Sequence, residues 1–262
     1  MGDSKETRFA FGQNWADFLK GISEERILDA ENSLKSMLAR EELKGLQILD
    51  IGSGSGLFSL AAHRLGAQIT SFDYDKDSVA CTQKIKEQFA PDSNWQIEEG
   101  SVLDQAYLEK FQQFDVVYSW GVLHHTGSMW QAIMNAADKV KPRGQFFIAI
   151  YNKHWTSIIW KGIKWFYNTS PSFVKSTMNQ VFTLIIFLWL LVSTGRNPLK
   201  LERGMDFKHD VIDWIGGYPY EYASIDELDQ FLAKRGFKRT NLKKPYGWTG
   251  CNELVYTLVP QK

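Results

Sequence analysis

Apolar positions along this chain follow two rhythms. In "SEERILDAENSLKSMLAR", Ile27, Leu28, Leu34, Met37 and Leu38 recur at helical spacing behind Ser23 as N-cap, so residues 14–43 read as helical. In "LQILDIG" the apolar residues run together, as in a strand covered on both faces. "GLFSLAAHRLG" then reads as a helix closed by Gly66, and "AQITSFDYD" as a second strand. "DSVACTQKIKEQF" reads as a helix capped by Asp77, and "WQIEEGSVLD" as a third strand with its loop. "FDVVYSWGVLHH" gives a fourth strand and loop, "WQAIMNAADKV" a helix, "PRG" a turn and "QFFIAIYN" a fifth strand. This alternation with short connections predicts a doubly wound parallel α/β sheet.

The rhythm stops at Lys153 and resumes at Ser224, where Ser224 and Glu227 have the spacing of a capping box before "IDELDQFLAKRGF". "KRTNLKKPYG" and "CNELVYTLV" close the chain as two more strands. The expected organisation is a helical N-terminal cap over 1–45, a ligand-binding α/β core over 46–152, an insertion over 153–223, and a C-terminal helix with the last two strands over 224–262. The insertion is far longer than an ordinary connection.

Composition adds limits. The 262 residues are 44% hydrophobic and 23% charged, which suits one core plus its insertion. Thirty basic and thirty acidic residues cancel, which argues against broad phosphate neutralisation and against DNA as a partner. Cys81 and Cys251 lie far apart, outside any metal-ligand spacing, and read as reduced thiols of a cytoplasmic protein with no metal. The first fifteen residues hold no apolar leader.

The informative stretch is "LDIGSGSGLF". In open α/β sheets, ligands bind beyond the carboxyl ends of the strands, close to the first strand–helix turn. Gly52, Gly54 and Gly56 bare the backbone there, and the following helix offers unpaired N–H groups. A dinucleotide site would have GxGxxG, but here Leu57 stands where its third glycine belongs. Asp50 before the loop would repel a pyrophosphate and suits an ammonium group.

On these residues the chain resembles class I S-adenosylmethionine-dependent methyltransferases, with "LDIGSGSGLFSL" similar to their first motif. "SFDYD", "EEGSVLD" and "FDVVYSWGVLHHT" agree in order with the motifs that follow. The resemblance implies a seven-stranded Rossmann-like sheet with the last strand antiparallel, and S-adenosylmethionine as cofactor. It implies that Asp73 accepts from both ribose hydroxyls and Asp104 from the adenine amino group. The remaining cofactor set is Asp50, Gly52, Ser53, Gly54, Gly56, Tyr74, Ser101, Val102, Leu103 and Trp120, with Trp15 of "RFAFGQNWADFL" closing over it.

Methyl transfer is an in-line displacement, so it needs a nucleophile held near the methyl carbon, a dry site and, for a neutral hydroxyl, a base. His125 follows the fourth strand, while His209 and Tyr220 lie in the polar stretch "GMDFKHDVIDWIGGYPYEYA"; these three are the catalytic candidates. His124, Tyr151, Asn152, Asp213, Tyr218, Glu221 and Asn252 are the candidates for lining the acceptor site. The expected reaction is O-methylation of a small or lipid-linked molecule. N- or C-methylation and an RNA acceptor are the alternatives within the class; a nicotinamide-dependent oxidoreductase or a non-catalytic scaffold are those outside it.

The insertion contains "VFTLIIFLWLLV", about 12 apolar residues where a membrane span needs roughly 20, so no span is expected. Upstream, "NKHWTSIIWKGIKWFYN" intersperses lysine among tryptophans. A greasy lid over the acceptor, a homodimer interface and a membrane-surface contact all fit this pattern.

Overall fold

The computed structural model describes residues 22–194, 207–245 and 250–259. Seven strands run β1 (Gln47–Ile51), β2 (Gln68–Asp73), β3 (Gln96–Glu99), β4 (Phe114–Trp120), β5 (Val140–Tyr151), β6 (Phe237–Lys243) and β7 (Cys251–Leu258). Their order is β3-β2-β1-β4-β5-β7-β6, and β7 runs antiparallel to β5 and β6 while the other pairs are parallel. Strand order reverses between β1 and β4, which puts the glycine turn at the mouth of the switch point.

The helices of the core are α1 (Glu24–Leu38), α2 (Leu57–Arg64), α3 (Lys76–Phe89), α4 (Gln105–Leu108) and α5 (Met129–Ala137). The insertion forms α6 (Ser157–Thr169), α7 (Ser172–Thr194) and α8 (Phe207–Gly216), and α9 (Ile225–Ala233) leads back to the sheet. Alternate side chains of each central strand enter opposite layers. Leu49, Val117 and Ile148 meet α5 and α9 on one face; Ile48, Val116 and Phe147 meet α1 and α2 on the other. Burial on both faces explains the unbroken apolar runs in β1 and β5.

Local chemistry sets several boundaries. Ser23 caps α1 by accepting from the Arg26 N–H at 3.4 Å, and the helix stops at Leu38 because Ala39 turns into the left-handed region. The expected extension to residue 43 is absent, and the residues before 22 lie outside the described residues. Asp75, not Asp77, caps α3: its carboxylate accepts from the Asp77 N–H at 2.9 Å. The Ser224–Glu227 capping box is present at α9. "PRG" is not a turn between elements. β5 runs through it, absorbing Arg143 at φ 65° where the register against β4 shifts.

The apolar run in the insertion also differs from expectation. It lies in a helix of 23 residues, long and apolar enough by length and composition alone to cross a membrane, and no residue of Ser172–Ser193 is buried. Ser, Thr, Asn and Gln at its start prolong it without adding charge.

Candidate active site

The glycine turn is held from three sides. Gly52 and Ser53 donate to the Phe72 carbonyl at 2.8 and 3.3 Å, which ties the turn to β2. Gly54 donates to Asp73 Oδ2 at 2.9 Å, and Asp73 Oδ1 accepts from the Asp75 N–H at the same distance. Ser53 Oγ and Thr82 Oγ1 are 2.9 Å apart, and the Thr82 hydroxyl donates to the Gly54 carbonyl, so α3 fastens the third side. Gly52 at φ 79° and Gly56 at φ 84° need glycine twice over. A Cβ at Gly52 would stand 2.4 Å from Val122, and one at Gly56 would stand 3.0 Å from the Thr82 backbone.

The two acids below and beside this turn behave differently. Asp50 is buried, with Oδ2 accepting from Ser59 at 2.6 Å and Oδ1 without a hydrogen-bond partner. Ser59 lies 2.7 Å from Ser71, which accepts from the Trp95 indole. Burial pushes the Asp50 carboxyl up to about 7, against the Ser59 bond and with a smaller push from the Asp73 charge. Burial also raises Asp73, to about 6, opposed by the N–H groups it accepts from. The Asp50 carboxylate is therefore engaged beneath the turn by Ser59, whereas Asp73 is the acid that grips the turn itself.

The loop after β3 supplies a third wall. Asp104 caps α4 by accepting from the Tyr107 N–H at 3.1 Å and stays exposed. Ser101 Oγ accepts from the Leu103 N–H, and the Val102 carbonyl accepts from Asn135. Tyr74 is half exposed at the end of β2, and Trp120 is partly buried at the end of β4. Trp15 lies outside the described residues.

Because Val122 abuts Gly52, the loop after β4 sits directly against the glycine turn. A 3₁₀ turn, Leu123–His125, follows and presents both histidines. His124 is fully buried, its ring 4.0 Å from Tyr151 and 4.4 Å from His125. Burial, then the neighbouring His125 and Lys164 charges, hold it well below the usual imidazole range, so it is neutral. His125 Nδ1 lies 2.7 Å from the Pro219 carbonyl. A carbonyl only accepts, so Nδ1 carries the proton and the basic lone pair is on Nε2.

Residues from the insertion complete the cluster. Tyr220 is buried 5.0 Å from Tyr151, and burial pushes its phenol up to about 12, so near neutrality it is a donor and not a base. Glu221 is raised chiefly by burial and spends Oε2 on the Met129 N–H at the start of α5. Asn252 donates to Asn152 Oδ1 at 3.0 Å, so the two amides pin the end of β5 to β7. Tyr218 precedes Pro219 through a cis peptide. His209 and Asp213 fall on α8, but their side chains lie outside the described residues.

One residue that the sequence reading missed stands at the centre. Lys164 of α6 is fully buried, its Nζ donates to the Trp214 carbonyl, and it lies 4.6–5.3 Å from the ring centres of Tyr151, Trp214 and Tyr220. An ammonium enclosed by three aromatic faces is a cation–π cage. Its rings come from two segments, Tyr151 on β5 and Trp214 with Tyr220 beyond α7, and its ammonium from a third, so no local pattern announces it. Thr82, Val122 and Pro219 were hidden for the same reason.

Comparison with known proteins agrees with this architecture. A family model described as "Methyltransferase domain" matches residues 22–241. A Coxiella burnetii protein named "Ubiquinone biosynthesis O-methyltransferase" is 24% identical over 198 residues, which cover 72% of this chain and 83% of that protein. One of the same name from Sinorhizobium fredii is 30% identical over 113 residues, 43% of this chain and 44% of that one. Among solved structures, magnesium protoporphyrin IX methyltransferase from Synechocystis PCC 6803 with bound SAH superposes with a TM-score of 0.58 at 13% identity, covering 94% of both chains.

Proposed function

The chain belongs to the methyltransferase-domain family as a class I S-adenosylmethionine-dependent enzyme, and from that premise we propose that it methylates an oxygen of a small or lipid-linked acceptor. Bound, S-adenosylmethionine supplies an electrophilic methyl group on a sulfonium. Everything else the reaction needs comes from residues described above.

The turn from Gly52 to Gly56 fits such a ligand, because it offers bare backbone where any Cβ at Gly52 would collide with Val122. Asp73 keeps unused lone pairs on both oxygens, which suits two adjacent ribose hydroxyls. Ser101, Val102, Leu103 and Asp104 form the edge for the adenine, Tyr74 and Trp120 flank it, and Ser53 holds the turn in shape. Asp50 acts from beneath: Ser59 holds its Oδ2, and its unpartnered Oδ1 favours a nearby ammonium.

The observation that carries oxygen as the acceptor atom is the 2.7 Å contact between His125 Nδ1 and the Pro219 carbonyl. It fixes the tautomer whose Nε2 can take a proton from a hydroxyl, on a loop that touches the cofactor turn. Tyr220 donates, His124 and Tyr151 wall the pocket, and Asn152, Asn252, Tyr218 and Glu221 shape its rim. The relatives named as O-methyltransferases support the same atom. We infer that the reaction takes place in the cytoplasm, where Cys81 and Cys251, which form no disulfide, stay reduced. We read the helices of the insertion as excluding water from the acceptor.

The test supplies methyl-labelled S-adenosylmethionine with a panel of phenolic, amine and RNA acceptors and identifies the product bond by mass spectrometry and NMR. A methyl ether formed by the wild type, and slowed about 10²–10⁴-fold in His125→Asn, is the expected result. An N-methyl, C-methyl or RNA product overturns the oxygen assignment, and an undiminished rate in His125→Asn overturns the base.

A further inference from the structure

Seventeen large hydrophobic side chains stand exposed among the described residues, and thirteen of them lie between Trp155 and Val192, on or beside α6 and α7. On α7, Val181, Leu184, Ile185, Leu188 and Val192 form a continuous outward stripe at helical spacing, with Val192 85% exposed. The opposite side of the same helix is seated on the fold: Phe182 meets Trp160 and Phe187 meets Phe207, each pair 6.0 Å between ring centres.

Charge is as one-sided as hydrophobicity. Residues 153–201 contain no Asp or Glu and six basic residues, Lys153, Lys161, Lys164, Lys175, Arg196 and Lys200, in a chain whose total charge is zero. The rest of the chain is therefore net acidic by the same amount. Lys153 pairs with Glu227 and Lys164 is buried in its cage; Lys161 is exposed on α6, close enough to Glu221 for its charge to be felt there, and Lys175 of α7 lies over the Tyr167 ring. A second copy of this chain would bring the same positive charge to the contact. An anionic lipid surface brings the opposite charge, and its acyl chains suit the stripe.

Topology decides how such a contact is made. α7 is about 35 Å long, enough to cross a bilayer. Yet β5 lies before it in the chain and β7 after it, and the two pair residue by residue from Gln145↔Thr257 to Tyr151↔Cys251. A single crossing would put those strands on opposite sides of the membrane. α6, with 13 residues, is too short to bring the chain back. Among the described residues α7 is the one helix long and apolar enough to cross.

We propose that α6 and α7 lie in the plane of an anionic membrane surface, with the outward stripe of α7 sunk among the acyl chains and Lys161 and Lys175 at the headgroups. The inference goes beyond the methyl-transfer reading and does not need it. It gives that reading a consequence, because α6 also carries Lys164 into the buried His125–Tyr151 cluster: an acceptor with a long apolar tail would then reach that cluster from the lipid side.

The experiment is sedimentation of the full chain with vesicles of phosphatidylcholine alone and of equal phosphatidylcholine and phosphatidylglycerol. The wild type binds the anionic vesicles, Leu184→Glu/Leu188→Glu weakens that binding at least about tenfold, and Lys161→Gln weakens it about fivefold. Both variants keep their far-ultraviolet circular dichroism and bind S-adenosylhomocysteine by calorimetry as the wild type does, so lost docking is distinct from lost folding or lost cofactor binding. Failure of the wild type to bind either vesicle overturns the proposal. So does binding untouched by the double substitution, equal binding to both vesicles, or a dimer on gel filtration that the double substitution splits while vesicles have no effect.

Discussion

The sheet core and the α6–α8 insertion obey opposite rules for apolar residues. In the core, Leu49, Val117, Phe146 and Ile148 are wholly shielded, and each strand's pattern is completed by a helix of the same chain. In the insertion, apolar density is higher still, yet α7 keeps only one side against the fold and leaves the other bare. Charge separates α6 and α7 from the rest in the same way, since 153–201 holds no acid, while α8 already carries Asp210 and Asp213. The contrast teaches that hydrophobicity alone does not say what a segment packs on. A core strand is covered by neighbours the chain itself supplies, whereas the outward side of α7 is left uncovered by the described residues.

The largest effect expected in the core half of this contrast is at Asp73. Asp73→Ala removes the acceptor of the Gly54 N–H and both proposed ribose contacts, so titration with S-adenosylhomocysteine should give no heat. Full affinity in that variant would break the assignment of the cofactor to the glycine turn.

Next comes a matched pair that measures the contrast directly by urea unfolding. Leu60→Ala, at a fully buried position of α2, should cost about 2–5 kcal/mol through lost burial and the cavity left behind. Leu188→Ala, on the outward stripe, should stay within about 0.5 kcal/mol of wild type in water. A large loss at Leu188 would mean that α7 is covered after all.

A pH series sharpens the core side further. Asp50 and Asp73 both have folded values raised above their unfolded value of 3.8, to about 7 and about 6. The folded state thus holds protons more tightly than the unfolded one, and this contribution to stability is complete below pH 4 and is lost as pH rises toward 7. Asp50→Asn should therefore raise the neutral-pH Tm and flatten its fall between pH 5 and 7; an unchanged slope would remove Asp50 from the account. The smallest effect should be on affinity. Binding of S-adenosylhomocysteine weakens a few-fold from pH 8 to pH 5 as Asp73 takes up a proton and loses acceptor capacity, which calorimetry at the two pH values checks.

What the sequence disclosed follows from the range of the forces involved. The glycine turn and the seven strands were legible because steric bareness and patterned burial are written in neighbouring residues, whereas the antiparallel β7 came only from the family resemblance. The bulge at Arg143 was not legible: "PRG" carries turn chemistry, and the strand continues because β5 pairs with β4 on both sides of it, at Val140 and again from Gln145. The length of α7 was misjudged because apolar letters were counted and the uncharged polar residues that extend the helix were left out. Glu221 was legible as an acid near the site, but its bond to the Met129 N–H at the start of α5 was not, since that N–H belongs to a distant segment. His124 and His125 were correctly set after β4, but which imidazole nitrogen holds the proton depends on Pro219, 94 residues away.

The enclosure of Lys164 by Tyr151, Trp214 and Tyr220 bears on how such enzymes could be recombined. A chimera that borrowed another chain's 153–216 block would leave Tyr151 and Tyr220 behind on the host. It would then bury either an ammonium with Trp214 alone or the two tyrosine rings without their ammonium. The crossover points for a working hybrid belong before Tyr151 and after Tyr220, so that lock and key travel together.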